Sequence, residues 1–285
     1  MGETKAPAEP GSRPPLAPSG ALWRLLRDEA RQALHASPAL GPLFLDSILH
    51  QPGLDAAVFH RVAARIRNDV VAQPVLIEAF TRAAGADPGI GAGLEADLAA
   101  VLDRDPATTR VIEPVLYFKG FHALQLHRLA HWLWSHGERD FALYLQSRSS
   151  DTFQTDIHPA ARIGRGLFLD HATGLVVGAT AVIGDDVSLL QNVTLGATGK
   201  DAGDRHPKVR RGAIIGAGAK VLGNIEVGEG ARVAAGSVVL APVPPHVTVA
   251  GVPARPVRGA HAPAPEAPVG QVLRQLAYQG FDYVI

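Results

Sequence analysis

The sequence predicts an α+β protein in which an N-terminal α-helical domain precedes a parallel β-helix of hexapeptide repeats. Two observations predict it. Apolar residues recur every three to four positions up to residue 150, and an aliphatic residue recurs every six positions from residue 157 onward. We expect four segments: a disordered Pro-rich extension (1–20), the helical domain (21–150), the β-helix (151–258) and a flexible C-terminal tail (259–285).

The helical domain is predicted from amphipathic spacing. A first amphipathic helix is predicted because five apolar residues recur at a spacing of three to four, and an α-helix turns once in about 3.6 residues: Leu22, Leu25, Leu26, Ala30 and Leu34. Further helices are predicted, between Pro and Gly breakers, at residues 54–71, 75–84, 94–102 and 119–134.

The six-residue pattern predicts the β-helix. Its aliphatic positions are Ile157, Ile163, Leu169 and Leu175, then Val177, Ile183, Leu189 and Leu195 after a two-residue shift, then Ile215, Val221, Val227, Val233 and Val239. Small residues such as Ala181, Ala219 and Ala231 follow four positions later and permit tight corners. Each coil buries its apolar side chains only against neighbouring coils, so the stack is stable collectively. A polar loop, 197–211, interrupts the pattern and should project from the scaffold.

Composition excludes several classes of function. Lys+Arg and Asp+Glu are both 27 in 285 residues, so bulk charge suggests neither nucleic-acid nor membrane binding. The absence of cysteine excludes disulfides, thiolate metal sites and cysteine nucleophiles. No apolar run approaches the roughly 20 residues of a membrane span. We therefore expect a cytoplasmic protein.

His171 is the leading candidate for a general base. A neutral imidazole accepts a proton near pH 7, and a hydroxyl needs such a base before it attacks as a nucleophile. Asp170 lies beside it, and Asp156 stands 15 residues earlier, close enough within a coiled stack to hold the second ring nitrogen. The alternatives are an inert surface histidine and a turn residue at the domain junction.

The projecting loop contains candidate anion-binding residues, Arg205 and His206. A guanidinium binds a carboxylate through two hydrogen bonds, which suits an amino-acid substrate. A basic cluster in the same region is consistent with a nucleotide phosphate carrier: Lys200, Lys208, Arg210, Arg211, Lys220 and Arg232. Solvated surface charge is the alternative for both features.

Histidines also raise the possibility of a metal. A zinc-dependent hydration enzyme on this scaffold would use three converging histidines, for which His158, His171 and His206 are available. His127 and His131, four residues apart, lie on one predicted helix face. The carboxylates near the first set favour binding of a polar substrate, and ordinary helix packing explains the second. We expect no metal.

Several segments resemble serine O-acetyltransferases. They are Arg104-Asp105-Pro106, residues 117–125, His131-Trp132-Leu133-Trp134, Asp156-Ile157-His158-Pro159, and residues 169–174, 203–208, 216–220 and 250–255. Hexapeptide repeats alone indicate only the acyltransferase superfamily, whereas the helical segments and the Arg-His-Pro-Lys loop indicate this family. The resemblance covers roughly residues 20 to 258. It implies a left-handed β-helix, prisms that trimerise, and active sites in the clefts between prisms.

The resemblance implies a reaction and its residues. The acetyl group of acetyl-CoA would pass to the hydroxyl of L-serine, giving O-acetyl-L-serine and CoA, the committed step of cysteine biosynthesis. His171 would be the base and Asp156 its partner. The implied substrate-binding residues are Asp105 and Asp170 at the ammonium and hydroxyl ends of serine, and Arg205 and His206 at its carboxylate.

Acetyl-CoA is expected to contact residues of the repeats and of the loop entry: Gly196, Ala197, Thr198, Ala217, Lys220 and Arg232. The family usually has a second glycine where Ala197 stands, so its methyl group can alter the fit of CoA or the freedom of the loop.

The resemblance also implies partners. It predicts a homotrimer or a hexamer formed by two trimers joined through the helical domains. L-Cysteine would inhibit by competing at the serine site, and Ile285 would insert into O-acetylserine sulfhydrylase, although Val284 replaces the small residue usual before it. Two alternatives remain open: acetylation of another hydroxyl, on homoserine or a sugar, and a role as a tail-mediated regulator of the sulfhydrylase.

Overall fold

The computed structural model describes residues 20–199 and 202–261. The predicted extension up to residue 19, Lys200 and the tail from residue 262, including Ile285, lie outside the described residues. In the described part the helices come first: α1 Ala21–Ala36, α2 Gly41–Phe44, α3 Leu54–Ile66, α4 Gln73–Ala86, α5 Pro88–Arg104, α6 Ile112–Leu116, α7 Lys119–Ser135 and α8 Arg139–Phe153. The chain changes from helix to strand at residue 154, whereas the sequence predicted the boundary between the two domains at residue 150. Among these helices none is both long and apolar enough to cross a bilayer.

Helix α7 lies at the centre of the helical region, because it is apolar on most sides. Residues from Gly120 to Leu133 are almost all buried along its length, and it packs against α3, α4, α5 and α8. The amphipathic helix predicted at Leu22–Leu34 is α1, with Leu26 and Ala30 fully buried, whereas Leu25 faces solvent. The core that these helices share includes Phe59 and Phe80, whose rings stack 4.6 Å apart.

A parallel β-helix follows, as predicted. Its strands form three flat faces of a prism, and we number the faces in the order in which the chain visits them. Face I contains β1 Thr155–Ile157, β4 Leu175–Val177, β7 Thr194–Gly196, β10 Lys220–Leu222 and β13 Val238–Val239. Face II contains β2 Arg162–Ile163, β5 Val182–Ile183, β8 Lys208–Val209 and β11 Glu226–Val227. Face III contains β3 Phe168–Leu169, β6 Ser188–Leu189, β9 Ile214–Ile215, β12 Arg232–Val233, β14 Val247–Gly251 and β15 Ala254–His261.

The repeat aliphatics fill the interior of the prism. Every aliphatic that the six-residue pattern selects belongs to one buried cluster, with Ile163 at its partly exposed rim. Ala181, Ala219 and Ala231 are buried at the corners, where a larger side chain would not fit. All strand pairs are parallel except β14 with β15, which are antiparallel and close the last coil.

The two regions are joined by a buried ionic contact. Asp97 on α5 is fully buried and accepts hydrogen bonds from Arg128 on α7 (2.6 and 2.9 Å) and from the amide of Leu167 in the first coil (3.0 Å). Arg128 also donates to the carbonyl of Gly164 (2.9 Å). Since an unpaired buried charge costs several kcal/mol, this network fixes the helical region on the first coil in one orientation.

Two buried histidines predict that acid destabilises the helical region. Nδ1 of His122 accepts from Arg65 and Nε2 donates to the carbonyl of Val115, each at 2.7 Å, and burial lowers its pKa to about 3. Burial lowers the pKa of His127 to about 3 as well. An unfolded histidine titrates near 6.5, so below that pH the unfolded chain binds more protons than the folded one. The two neutral histidines therefore make their full contribution to the free energy of unfolding above pH 6.5. Below it, this free energy falls by about 1 kcal/mol per histidine for each pH unit toward pH 3.

Thermal unfolding between pH 7 and 4, followed by far-ultraviolet circular dichroism, measures this dependence. His127→Phe should make the fall in stability per pH unit shallower. His136→Asn is the matched control, because His136 is exposed at the end of the same helix. An equal pH dependence in all three proteins would contradict the assignment.

Candidate active site

The turn that carries His171 is an insertion in the repeat. From Leu169 to Val177 the chain takes eight residues, whereas the next coil takes six between the paired positions Leu189 and Leu195. The two extra residues lie in the turn between faces III and I, which we call the III/I edge. His171 and Ala172 both adopt left-handed backbone angles there (φ 53° and 56°), a conformation rare for residues with side chains. The insertion thus displays His171, whose side chain is 73% exposed.

A cavity of about 440 Å³ opens between this turn and the helical region. The carboxylates of Asp105 and Asp170 lie along it, and Asp170 Oδ1 is 3.6 Å from His171 Nε2. Burial and the nearby Asp105 charge raise the pKa of the Asp170 carboxyl, an effect partly opposed by His171. A site with two carboxylates at the rim of a small cavity attracts a cation such as an ammonium group.

The position of Asp105 is set by its neighbours. Its carboxylate accepts from the amide of Ala107 (2.9 Å) and the hydroxyl of Thr108 (2.5 Å), which fixes the turn that follows α5. The preceding residue, Arg104, is buried against the prism, with its guanidinium 3.4 Å from Asp186 and from the hydroxyl of Ser188. The end of α5 is therefore held rigidly over the first coils.

The start of α7 forms the other wall of the cavity. Gly120 lies so close to the turn that an added Cβ would meet the carbonyl of Leu169 at 2.1 Å, so only glycine permits this approach. Lys119 Nζ donates to the hydroxyl of Thr173, two residues beyond His171. Sequence reasoning did not select Lys119 as a site residue, although it lies in a segment of the family resemblance.

Arg205 and His206 lie at a different corner, between faces I and II (the I/II edge). The loop is a second insertion: fourteen residues separate Leu195 from Val209, against six between the paired positions Val177 and Ile183. Lys208 Nζ closes the loop by donating to the carbonyls of Thr180 (2.9 Å) and His206 (2.7 Å) and to Asp204 (2.6 Å).

Asp156 is not in contact with His171 within one chain. It lies on β1 and accepts a hydrogen bond from Gln146 of α8 (2.6 Å). Its charge acts on His158 at the I/II edge, where burial lowers the pKa of that ring, Asp156 opposes the shift and Arg205 adds to it. The structure therefore groups Asp156 with the loop residues and His171 with Asp105 and Asp170, at opposite sides of face I.

Comparison with known proteins identifies the family. The serine acetyltransferase N-terminal family model matches residues 22–126, and the bacterial transferase hexapeptide model matches residues 206–241. The serine acetyltransferase of Escherichia coli strain K12 is 53% identical over 234 residues, which is 82% of this chain and 86% of that protein. The chain belongs to the serine acetyltransferase family. The predicted family, fold class and enzyme class are confirmed.

Solved structures of the family superimpose on this chain. Serine acetyltransferase from Brucella abortus in complex with coenzyme A has a TM-score of 0.82 at 58% identity, covering 83% of this chain and 94% of that one. Serine acetyltransferase from Neisseria gonorrhoeae in complex with serine has a TM-score of 0.81 at 46% identity, covering 82% of this chain and 97% of that one. The predicted transfer of acetyl from acetyl-CoA to serine agrees with both.

The residues expected to bind acetyl-CoA lie at three places on the prism. Ala217 and Lys220 are near the III/I edge, two coils below His171, and Lys220 Nζ donates to Asn192 in the coil between (2.6 Å to its carbonyl). Three others are at the I/II edge, where the polar loop begins: Gly196, Ala197 and Thr198. Arg232 begins β12 on face III. One chain therefore does not gather all six residues.

Arg232 differs from three other members of the basic cluster that the structure describes. Lys208, Arg210 and Arg211 are each paired with a carboxylate, at 2.6, 2.5 and 2.9 Å. Arg232 is half-buried, which lowers the pKa of its guanidinium, and it makes no side-chain hydrogen bond or ion pair within the described residues. A desolvated cation without a partner favours an anionic ligand.

The histidines do not converge on one point. His158 and His206 share the I/II edge, while His171 is at the III/I edge. Across residues 20–199 and 202–261 no three His, Cys, Asp or Glu side chains form a group that could hold a metal. His127 and His131 are 5.9 Å apart between ring centroids, but Nδ1 of His131 already contacts the carbonyl of Pro159 (2.8 Å).

Proposed function

We propose that the enzyme transfers acetyl directly from acetyl-CoA to L-serine, at active sites that two neighbouring chains of a trimer complete together. The observation that carries the proposal is the placement of the expected site residues at two opposite edges of face I. Family membership supports the reaction, and the relatives solved with coenzyme A and with serine support the two substrates.

Three prisms that turn face I toward a common axis would bring these edges together. In such a ring the III/I edge of one copy meets the I/II edge of the next. Face I offers apolar surface for this contact. Val176 in β4 is 40% exposed, and Leu240, which directly follows β13, is 54% exposed. Burial of exposed aliphatics would stabilise the trimer.

Serine would bind as a zwitterion across this junction. Its ammonium group would lie between Asp105 and Asp170, whose negative charges repel each other. Its carboxylate would meet Arg205 and His206 of the neighbouring copy, through a guanidinium and a ring N–H. A sugar lacks both charged groups, so this pairing favours an amino acid as acceptor.

His171 would act as the general base. It accepts the proton of the serine hydroxyl while the oxygen attacks the thioester carbonyl, which gives a tetrahedral intermediate. The intermediate collapses, the C–S bond breaks, and the proton passes from the imidazolium to the sulfur of CoA. Asp156 of the neighbouring copy would hold the other ring nitrogen of His171 and stabilise the imidazolium. No covalent enzyme intermediate is needed.

Acetyl-CoA would lie in the groove between the two edges. Along the III/I edge, the turns of the later coils contain small residues, which leaves room for a ligand. The amide of Gly218 donates to the carbonyl of Gln191 in the preceding coil, and the amide of Gly236 donates to the carbonyl of Ala217. Gly196, Ala197 and Thr198 would face this groove from the neighbouring copy, and Arg232 would take a phosphate at its far end. The fit of CoA to Ala197 is where this chain can differ from relatives with glycine there.

Subunit complementation tests the shared site. His171→Asn and His206→Asn should each be nearly inactive alone, because one damages the III/I edge and the other the I/II edge. Mixed trimers that contain both variants should recover about one third of wild-type activity, since only one of their three sites joins two undamaged edges. The assay measures thiol release from acetyl-CoA in the presence of L-serine, on trimers purified with a different tag on each variant.

Mixing His171→Asn with Asp170→Asn is the matched control. Both variants damage the same edge, so their mixed trimers should stay inactive. Recovery in this control, or none in the first mixture once mixed trimers are isolated, would contradict a site shared between chains. Comparison of L-serine with homoserine and sugars at fixed acetyl-CoA tests the acceptor.

The further partners rest on the family resemblance. We propose a cytoplasmic enzyme that forms a hexamer through its helical regions, that L-cysteine inhibits at the serine site, and that binds O-acetylserine sulfhydrylase through Ile285. Deletion of residues 280–285 should abolish sulfhydrylase binding and spare acetyl transfer. Loss of both sulfhydrylase binding and acetyl transfer would indicate that these two roles are not separable.

A further inference from the structure

The hydroxyl of Thr180 is the centre of a hydrogen-bond network that holds the polar loop (residues 197–211) on the prism. It lies at the I/II edge, one coil above the loop, and accepts from the backbone amides of Arg205 (3.0 Å) and His206 (3.1 Å). The same oxygen is 2.8 Å from Nδ1 of His206. No property of the sequence alone selected Thr180.

The network determines which ring nitrogen of His206 carries the hydrogen. The backbone amide of Thr180 donates to Nδ1 at 3.2 Å, and an amide N–H can only donate. Nδ1 must therefore accept, and the hydrogen of the neutral ring lies on Nε2. The Thr180 hydroxyl, which also interacts with the Asp204 carboxylate, lies within donating distance of Nδ1. Within the described residues Nε2 has no hydrogen-bond partner, so its N–H remains available to a ligand. Burial, Arg205 and Lys208 lower the pKa of His206, which keeps the ring neutral.

Glycine at position 178 makes room for the ring. An added Cβ on Gly178 would lie 1.9 Å from Nε2 of His206 and 2.0 Å from the adjoining ring carbon. The backbone of Gly178 is not left-handed, so the requirement for glycine is one of space alone. The ring of His206 is thus held against Gly178 of the preceding coil and, along its Nδ1 side, by Thr180.

We propose that Thr180 is a positioning residue that holds His206 as an Nε2–H donor and aims the Arg205–His206 backbone at the carboxylate of serine. The inference rests on the proposed function, because it assigns these two residues to that carboxylate. Thr180 itself touches no substrate.

Thr180→Val, which keeps the shape and removes the hydroxyl, tests the inference. It should raise KM for L-serine about tenfold, as the loss of a buried hydrogen-bond partner predicts, with KM for acetyl-CoA and kcat nearly unchanged. Thr180→Ser keeps the hydroxyl, so its KM for serine should stay close to the wild-type value. Gly178→Ala should raise KM for serine as well, because it displaces the ring that Thr180 holds.

A purely structural role would give a different pattern. Loss of fold lowers the active fraction, so kcat falls while both KM values stay constant, and that result in Thr180→Val would overturn the inference. Equal KM values for serine in Thr180→Ser and Thr180→Val would overturn it too. In the His206→Asn background, Thr180→Val should have a smaller effect on KM for serine than in the wild type, because the positioning acts largely through that ring.

The His206→Asn variant separates this inference from the proposed function. A raised KM for serine in His206→Asn with a normal KM in Thr180→Val would reject Thr180 alone. A normal KM for serine in His206→Asn would reject the assignment of His206 and with it the role of Thr180. Titration calorimetry of L-serine binding gives the same comparison without turnover.

Discussion

Replacing His171 by asparagine is expected to lower the turnover number by about 10²–10⁴-fold, the range that a positioned general base contributes. Asparagine cannot take the proton of the serine hydroxyl at neutral pH. It is nevertheless a good structural replacement, because it tolerates the left-handed backbone that position 171 adopts better than most residues. The side chain is 73% exposed, so the free energy of unfolding should change little. Initial rates at saturating L-serine and acetyl-CoA measure the effect.

His246→Asn is the matched control for this variant. His246 is also exposed and also left-handed, with φ 59°, but it lies near the last coil and away from both edges of the proposed site. The control should retain wild-type turnover and the same melting temperature. Near-normal turnover in His171→Asn would contradict the assignment of the base, whereas a fall in the melting temperature specific to that variant would indicate a structural role.

The scaffold could be predicted from the sequence because the spacing of the apolar residues depends directly on which side chains are buried. The six-residue spacing of Val177, Ile183 and Leu189 matches the interior of the prism, since each coil must place an aliphatic side chain at the same depth. Helix α7 was predicted with nearly its observed bounds for a similar reason. Some helices within the predicted helical domain were not identified individually. One is α6 at Ile112–Leu116, which has too few residues to show a period, and another is the longer α8 at Arg139–Phe153.

The departures from the repeat mark the site. The two-residue shift between Leu175 and Val177, visible in the sequence, is the insertion that displays His171, and the polar loop is the insertion that carries Arg205 and His206. The pattern alone did not show that these insertions lie at opposite edges of face I. That placement depends on how many strands separate them, which the strand register determines.

Other site features depend on contacts that no local pattern encodes. Asp105 entered only through the family resemblance, because its place beside Asp170 follows from the packing of α5 on the first coils. Thr180 is 25 residues from Arg205, and its role arises only when neighbouring coils stack. Gln146 likewise meets Asp156 because α8 ends against β1.

Asp170→Asn should lower kcat/KM for L-serine by about 10²–10³-fold, because it removes one charge from the pair that receives the ammonium group. Acetyl-CoA should keep its KM. The same change should increase the free energy of unfolding at pH 7. The carboxyl of Asp170 is largely buried beside Asp105, and both features raise its pKa, so its ionised form destabilises the folded enzyme when no substrate is present.

The pH dependence of that gain distinguishes electrostatics from packing. A raised pKa in the folded state means that the folded chain holds the proton more tightly than the unfolded chain does. Wild-type stability therefore falls, relative to the asparagine variant, as pH rises above the ordinary carboxyl pKa of 3.8. The difference in unfolding free energy should be present at pH 7 and small at pH 4, measured by denaturant titration. Asp103 is exposed on α5, the helix that ends next to Asp105. Asp103→Asn should therefore leave the free energy of unfolding unchanged at both pH values. A gain that is equal at both pH values would mean that the carboxylate pair is not under repulsion, and the cavity would then not be poised for an ammonium group.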